Sequence, residues 1–234
     1  MKKTIKLFVI IIGVLLISAC GTKESKTNDA KKFKEEYESL NGGVSSSGKD
    51  YLEVEIDEDN KVKYSSIKDI IKVLESGTGV IYLGYPECPW CRNVVPVLMR
   101  ASNNTGIENV YYLNMHDVRD KMEVDSNGNV VTVEEGKEGY KDLLEKLDSI
   151  LSEYTVKDDD GKEYDTGEKR IFVPTVIFVK NGKILDYHMD TVESQTDPYV
   201  GLNEDQEMEL YDIYVKGIHK ILGDQCDDDS EEHC

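Results

Sequence analysis

Runs of apolar and polar positions mark out a folded region, which we predict to span residues 51–222. The segment SIKDIIKVLESG carries apolar side chains at helical spacing, and it predicts a helix that ends at Gly77. The segments GVIYLGY (79–85) and NVYYLNM (109–115) are short apolar runs rich in β-forming residues. Such runs are typical of parallel strands that are buried on both faces.

Three further patterns complete the fold class. Residues 173–189, VPTVIFVKNGKILDYHM, predict a hairpin that turns at Asn181-Gly182. Residues 205–222 predict a final amphipathic helix, and the alternating YLEVEI (51–56) predicts a half-buried strand. With a helix over 89–101, the order of strands and helices predicts an α/β domain.

An acidic segment over about residues 116–170 interrupts this order. It contains a predicted hairpin at Asp125–Asn129 and a helix over 140–154 with one apolar stripe. A charged loop, KDDDGKEYDTGEKR, follows that helix. We interpret the segment as an α+β insertion into a smaller core fold.

The N-terminus has the pattern of an export signal. Residues 1–19 combine a basic start, an apolar run and small residues before Cys20. The run is too short for a membrane span, which takes about 20 residues, although an uncleaved anchor is the alternative. The sequence Ile17-Ser18-Ala19-Cys20 resembles a bacterial lipobox, which implies acylation of Cys20 and anchoring outside the cell membrane.

Residues 21–50 are polar and rich in Lys, Glu, Gly and Ser. We therefore predict a lipidated, flexible tether over 20–50, with a short helix near 31–40.

The net charge narrows the choice of partners. The chain carries a formal charge of −19, and loss of residues 1–19 removes three lysines, which takes it to −22. Such a surface repels phosphate backbones, so nucleic acid is not expected as a partner.

The chemistry of the chain centres on Cys88-Pro89-Trp90-Cys91, which lies between an apolar strand and a helix. A cysteine at a helix N-terminus lies near unpaired N–H groups that favour the thiolate, which is the nucleophile. The second cysteine, one turn later, would resolve a mixed disulfide. Pro89 suits the first helical position.

Metal binding is the competing reading of this pair. A structural zinc site needs four ligands, and no second C-x-x-C motif is present. Cys226, His233 and Cys234 are the other candidates, but their spacing does not place them near Cys88. A local disulfide between Cys226 and Cys234 is expected in the acidic tail (223–234), with a free, metal-binding or second redox pair left open.

Two separate motifs resemble the thioredoxin superfamily. PECPWCRNVVPVL is similar to the family's active-site helix, including Pro96, and VPTVIFVKNGKIL is similar to its cis-proline strand and hairpin. The resemblance implies a thioredoxin fold, with a central mixed sheet flanked by helices. It also implies that Pro174 is a cis-proline. Together with Val173, Pro89 and Trp90, Pro174 would shape the substrate groove.

Some positions depart from the family pattern. Tyr82 stands where the family has a buried acid, Tyr112 where it has a partner lysine, and Glu87 precedes the first cysteine. Tyr82 and Glu87 are the candidates for proton transfer. As a proton acceptor, Glu87 would also raise the pKa of Cys88 by charge repulsion, and the alternative is that Glu87 is simply an exposed acid in an acidic protein.

The stretch Gly84-Tyr85-Pro86-x-Cys-Pro-x-Cys-Arg92, with the export signal, is most similar to bacteriocin-transport accessory proteins of Gram-positive bacteria. The resemblance implies an extracytoplasmic thiol–disulfide oxidoreductase that needs no organic cofactor. Its partners would be cysteine-containing exported proteins or peptides and a redox partner protein. The direction of electron flow would depend on the reduction potential of the Cys88–Cys91 pair. The alternatives are a non-catalytic binding or chaperone lipoprotein with a structural disulfide, and a metal-binding lipoprotein.

Overall fold

A computed structural model describes residues 22–223, with side chains from residue 28 onward. Its strands, numbered along the chain, are β1 (Val62–Tyr64), β2 (Gly79–Gly84), β3 (Val110–Asn114), β4 (Lys121–Val124), β5 (Val130–Glu134), β6 (Ser152–Lys157), β7 (Glu163–Arg170), β8 (Thr175–Lys180) and β9 (Lys183–Met189). Its helices are α1 (Thr22–Glu38), α2 (Ile67–Ser76), α3 (Pro89–Thr105), α4 (Tyr140–Leu147) and α5 (Glu204–Leu222), with a 3₁₀ turn at Asp148–Ile150.

A mixed five-stranded sheet forms the centre, in the order β1-β3-β2-β8-β9. The first three strands are parallel, and β8 and β9 run antiparallel to their neighbours. The sheet is flanked by helices, so the predicted α/β class is confirmed. The buried runs 79–85 and 109–115 became the two adjacent strands β2 and β3.

Side chains alternate between two apolar layers, one on each face of the sheet. Val80 and Tyr82 of β2 point into a core formed with α1, α3 and α5. Ile81 and Leu83 point to the opposite face, where α2 and α4 cover them. Because successive strand residues face opposite sides, an unbroken apolar run is what a doubly covered strand requires.

The predicted helices near 66–77 and 205–222 are confirmed, and their first turns are capped as the sequence allows. Ser66 and Asp69 form a reciprocal capping box at α2, and Asn203 and Gln206 form one at α5. Gly77 ends α2, and its N–H donates to the carbonyl of Val73.

The predicted boundary of the folded domain at residue 51 is wrong. Helix α1 extends to Glu38, and its Phe33 and Tyr37 are fully buried in the core beside α3 and α5. Ala30, one turn before Phe33, is also buried. The described part of the predicted tether is therefore packed onto the domain, because these three residues form an apolar stripe among charged ones.

The predicted strand at 51–56 is also wrong, although Val54 and Ile56 are buried as its alternation implied. Its backbone groups bond to side chains at the end of α1 rather than to a strand. Asn41 exchanges two hydrogen bonds with Val54, of 2.8 and 3.1 Å, and the Ile56 N–H donates to Glu38 at 2.8 Å.

Between β3 and β8, the hairpin predicted at Asp125–Asn129 is confirmed as β4–β5. The helix predicted over 140–154 is shorter, because α4 and its 3₁₀ turn end at Ile150. The segment predicted as a charged loop forms much of a second hairpin, β6–β7. Both strands of that hairpin are largely exposed and polar, so their sequence lacks the alternating apolar pattern that predicts a strand.

Within residues 22–223, no helix is both long and apolar enough to cross a lipid bilayer. The predicted signal peptide, the lipidation of Cys20 and the Cys226–Cys234 pair lie outside the described residues.

Candidate active site

The two motifs that carry the resemblance meet at one edge of the sheet. Strands β2 and β8 are antiparallel, and Leu83 pairs with Thr175. The loop that leaves β2 therefore lies beside the segment that enters β8. The Cys88 thiol donates to the carbonyl oxygen of Val173 across 3.8 Å. The peptide bond between Val173 and the buried Pro174 is cis, as predicted.

Cys88 caps the N-terminus of α3. Its sulfur accepts a hydrogen bond from the backbone N–H of Cys91 at 3.4 Å, in the position that a serine or aspartate oxygen takes in an ordinary cap. Pro89 is the first residue of the helix, where its missing N–H costs no hydrogen bond. Both cysteines are free thiols in the structure.

The two thiols have opposite pKa shifts. A hydrogen bond from the Cys91 side chain lowers the pKa of Cys88, and so do the backbone N–H groups of Cys91 and Trp90 and the charge of Arg119, against the effect of burial. Burial raises the pKa of Cys91 well above its usual range. Cys88 is therefore the thiolate-forming member of the pair.

Solvent accessibility also makes Cys88 rather than Cys91 the thiol that reacts first. Cys88 retains 5% of its surface exposed and Cys91 none. Trp90 and Val173 are half-buried beside Cys88, and Phe172 next to Val173 is 38% exposed. These side chains form an apolar rim next to Cys88.

The structure fits the alternative expectation for Glu87, which is an exposed acid rather than a residue that sets the pKa of Cys88. Glu87 is exposed to solvent, and the pKa of Cys88 is lowered rather than raised. The hydrogen bonds at the helix N-terminus outweigh any repulsion from this solvated carboxylate.

Tyr82, the other proton-transfer candidate, is fully buried behind Cys91 in an aromatic cluster. Its side chain acts to lower the pKa of Cys91, against the larger effect of burial, and its hydroxyl lies 2.8 Å from that of Tyr37. Its ring stacks on Tyr112 at 5.5 Å, and Phe33 meets Tyr112 edge-on at 4.9 Å. Burial raises the pKa of Tyr82 and Tyr37 well above the usual value, so both hydroxyls are neutral.

Sequence reasoning missed Arg92, which the structure places at the junction of α1 and the active-site loop. Its guanidinium is fully buried and donates to the carbonyls of Leu52, Tyr37 and Pro86 at 2.6, 2.9 and 3.3 Å. A further bond of 2.6 Å reaches Asn41. Arg92 therefore fastens the loop before Cys88 to the N-terminal segment. An arginine directly after the second cysteine was the only signal for it.

Arg119 was missed as well, and no sequence pattern pointed to it. Its guanidinium lies 5.7 Å from the centre of the Tyr85 ring and donates to the Ile171 carbonyl at 3.5 Å. It thereby bridges the loop before Cys88 and the segment before Val173. Its positive charge favours the Cys88 thiolate.

Within residues 22–223, no three His, Cys, Asp or Glu side chains are grouped so that they could hold a metal ion. No protein-family model matches the chain, and no curated protein matches it.

Proposed function

We propose that this chain is a thiol–disulfide oxidoreductase with a thioredoxin fold, acting through Cys88 and Cys91. The observation that carries the proposal is the meeting of two motifs more than 80 positions apart. The cysteine pair opens the helix that follows a central parallel strand, and the cis Val173–Pro174 bond lies against its first sulfur. We interpret residues of about 116–170 as an insertion into this fold.

In the proposed reaction, the Cys88 thiolate attacks a disulfide of the substrate and forms a mixed disulfide. Cys91 then attacks Cys88, which releases the substrate thiol and leaves the Cys88–Cys91 disulfide. The opposite pKa shifts of the two thiols support this order. The same steps in reverse would oxidise a substrate dithiol, and the potential of the pair decides the direction.

We place the enzyme outside the cell membrane, anchored through Cys20. In that setting its substrates would be cysteine-containing exported proteins or peptides, and a separate redox protein would regenerate the pair. The similarity to bacteriocin-transport accessory proteins makes small secreted peptides the first substrates to try.

The test is disulfide exchange with a model peptide disulfide. We expect the wild-type chain to exchange, and Cys88→Ser to lose exchange because the nucleophile is gone. Cys91→Ser should instead accumulate a mixed disulfide on Cys88, visible by mass spectrometry. Exchange that persists in Cys88→Ser would overturn the assignment.

Alkylation under mild reductant distinguishes the non-catalytic lipoprotein. A catalytic disulfide should open and leave Cys88 as the more reactive thiol. A structural disulfide should resist reduction, because such bonds are low in potential.

A further inference from the structure

Arg119 lies at the active site with a positive charge that the described protein does not neutralise. Its half-buried guanidinium donates to the Ile171 carbonyl at 3.5 Å and lies 5.7 Å from the centre of the Tyr85 ring. The bond to Ile171 is its one hydrogen bond of standard geometry to residues 28–223, and it forms no salt bridge with them. Because a guanidinium has several N–H groups, most of them are available to an acceptor from outside the chain.

The other three arginines of the chain are occupied by the protein itself. Arg92 donates to three backbone carbonyls. Arg100 forms a salt bridge with Glu207, and Arg170 forms one with Asp120. In a chain with a formal charge of −19, an arginine without a carboxylate partner is the exception.

The carboxylates nearest to Arg119 have other partners. Asp117, two positions before it, contacts a ring nitrogen of His116 at 2.7 Å. Glu87 is exposed, and its charge acts on Glu36, on the α1 side of the active-site loop. The loop therefore has a carboxylate on its α1 side and an unpaired cation on the side of the segment that follows β3.

Both contacts of Arg119 are with segments that touch Cys88. The Tyr85 carbonyl accepts the backbone N–H of Cys88 at 3.3 Å. Ile171 lies two positions before Val173, whose carbonyl accepts the Cys88 thiol. Two residues of extended chain span at most about 7 Å. The cation is therefore within reach of a side chain one or two positions from a substrate cysteine that is bonded to Cys88.

We propose that Arg119 determines substrate specificity by binding a carboxylate that the substrate carries next to its reacting cysteine. This inference rests on the proposed function. The planar guanidinium suits a carboxylate, which can accept two of its N–H groups at once. The substrate class is then a cysteine peptide with an aspartate, a glutamate or a terminal carboxylate beside the cysteine. The overall charge of the chain would by itself favour cationic peptides instead.

The bound carboxylate takes no part in the bond changes. The Cys88 thiolate attacks the substrate sulfur next to the carboxylate and forms a new S–S bond. The substrate disulfide breaks, and its other half leaves as a thiolate with the electron pair, to be protonated by water. In full-length protein that carries Cys91→Ser, the reaction stops at this mixed disulfide. The rate at which it forms, followed by mass spectrometry after acid quenching, measures the first attack alone.

The test varies the charge beside the substrate cysteine. The probes are disulfide-linked dimers of a short acetylated peptide amide with aspartate, asparagine or lysine on both sides of its one cysteine. Arg119→Gln should slow the aspartate peptide about 3- to 10-fold more than the asparagine peptide, because the carboxylate loses its cation. The lysine peptide should become faster relative to the asparagine peptide. Arg119→Lys should restore most of the preference, since it keeps the charge.

Comparison of the peptides within one variant cancels any change in the reactivity of the Cys88 thiolate. Arg100→Gln is the matched control for charge. It removes the same charge from a side chain of α3 that is 46% exposed, about 18 Å along the helix from Cys88. Its ratios between peptides should stay within about 2-fold of those of the parent protein.

An equal loss of rate with all three peptides in Arg119→Gln, with circular dichroism showing a folded protein, would mean that Arg119 acts only on the Cys88 thiolate. That result, unchanged rates, or the same change of ratios in Arg100→Gln would overturn the carboxylate site and leave the oxidoreductase intact. A protein that forms no mixed disulfide with any of the peptides would overturn both.

Discussion

Replacing Phe33 by alanine tests whether helix α1 belongs to the folded domain. The Phe33 side chain is fully buried, with ring centres 4.8 Å from Tyr37 and 4.9 Å from Tyr112. Truncation of such a core phenylalanine costs about 3–5 kcal/mol. For a chain of this length, each kcal/mol lowers the melting temperature by about 2–4 °C, so we expect a drop of about 6–20 °C. In a flexible tether the same change would cost less than about 0.5 kcal/mol.

Urea unfolding, followed by circular dichroism and by the fluorescence of Trp90, measures the free energy of unfolding. Lys31→Ala is the matched control on the same helix, since its side chain is 69% exposed. A cost below about 1 kcal/mol for Phe33→Ala, similar to that of Lys31→Ala, would refute the packing of α1 onto the core.

Three other changes test the site. Arg92→Met should lower the free energy of unfolding in urea by about 2–5 kcal/mol, because it leaves three backbone carbonyls without their donor. Arg92→Lys should not restore the stability, since an ammonium group lacks the planar fork of the guanidinium. Wild-type stability of Arg92→Met would contradict this role. The rate of Cys88 alkylation by iodoacetamide should rise with pH through a midpoint below that of an ordinary thiol. Arg119→Gln should move this midpoint to higher pH, because it removes a positive charge that favours the thiolate. An unchanged midpoint would show that Arg119 does not act on Cys88. Gly84→Ala should cost about 1–3 kcal/mol by displacing the Tyr82 hydroxyl, and a variant as stable as wild type would show that the ring can move aside.

The sequence was sufficient where apolar pattern and turn chemistry agree. The β8–β9 hairpin is an example: Asn181 and Gly182 have φ of 51° and 75°, which that residue pair accommodates more readily than others. The active-site helix is another, because Pro89 and the cysteine cap mark its start.

A short helix was predicted near residues 31–40, but the packing of α1 onto the domain was missed because the helix has few apolar residues. Phe33 and Tyr37 follow Ala30 at helical spacing, but the charged side chains around them have the composition of a linker. A stripe of three apolar residues indicates burial only once its packing partners, such as Tyr112, are known to lie nearby.

The sequence predicted the residues at the centre of the site but not the residues that surround and position them. Cys88, Cys91 and Pro174 belong to local motifs, so the sequence alone singled them out. Arg119 acts from a segment more than 25 positions away, and its proximity depends on how the chain returns to the sheet edge. Local pattern carries no information about such distant approaches.

The most direct test of the central claim is the equilibrium of the cysteine pair in glutathione buffers, with free thiols trapped and the product mapped by mass spectrometry. We predict a reversible two-electron transition that joins Cys88 to Cys91, with a potential between about −270 and −120 mV, the range of known thioredoxin-like enzymes. Absence of a Cys88–Cys91 disulfide at every glutathione ratio would contradict the account.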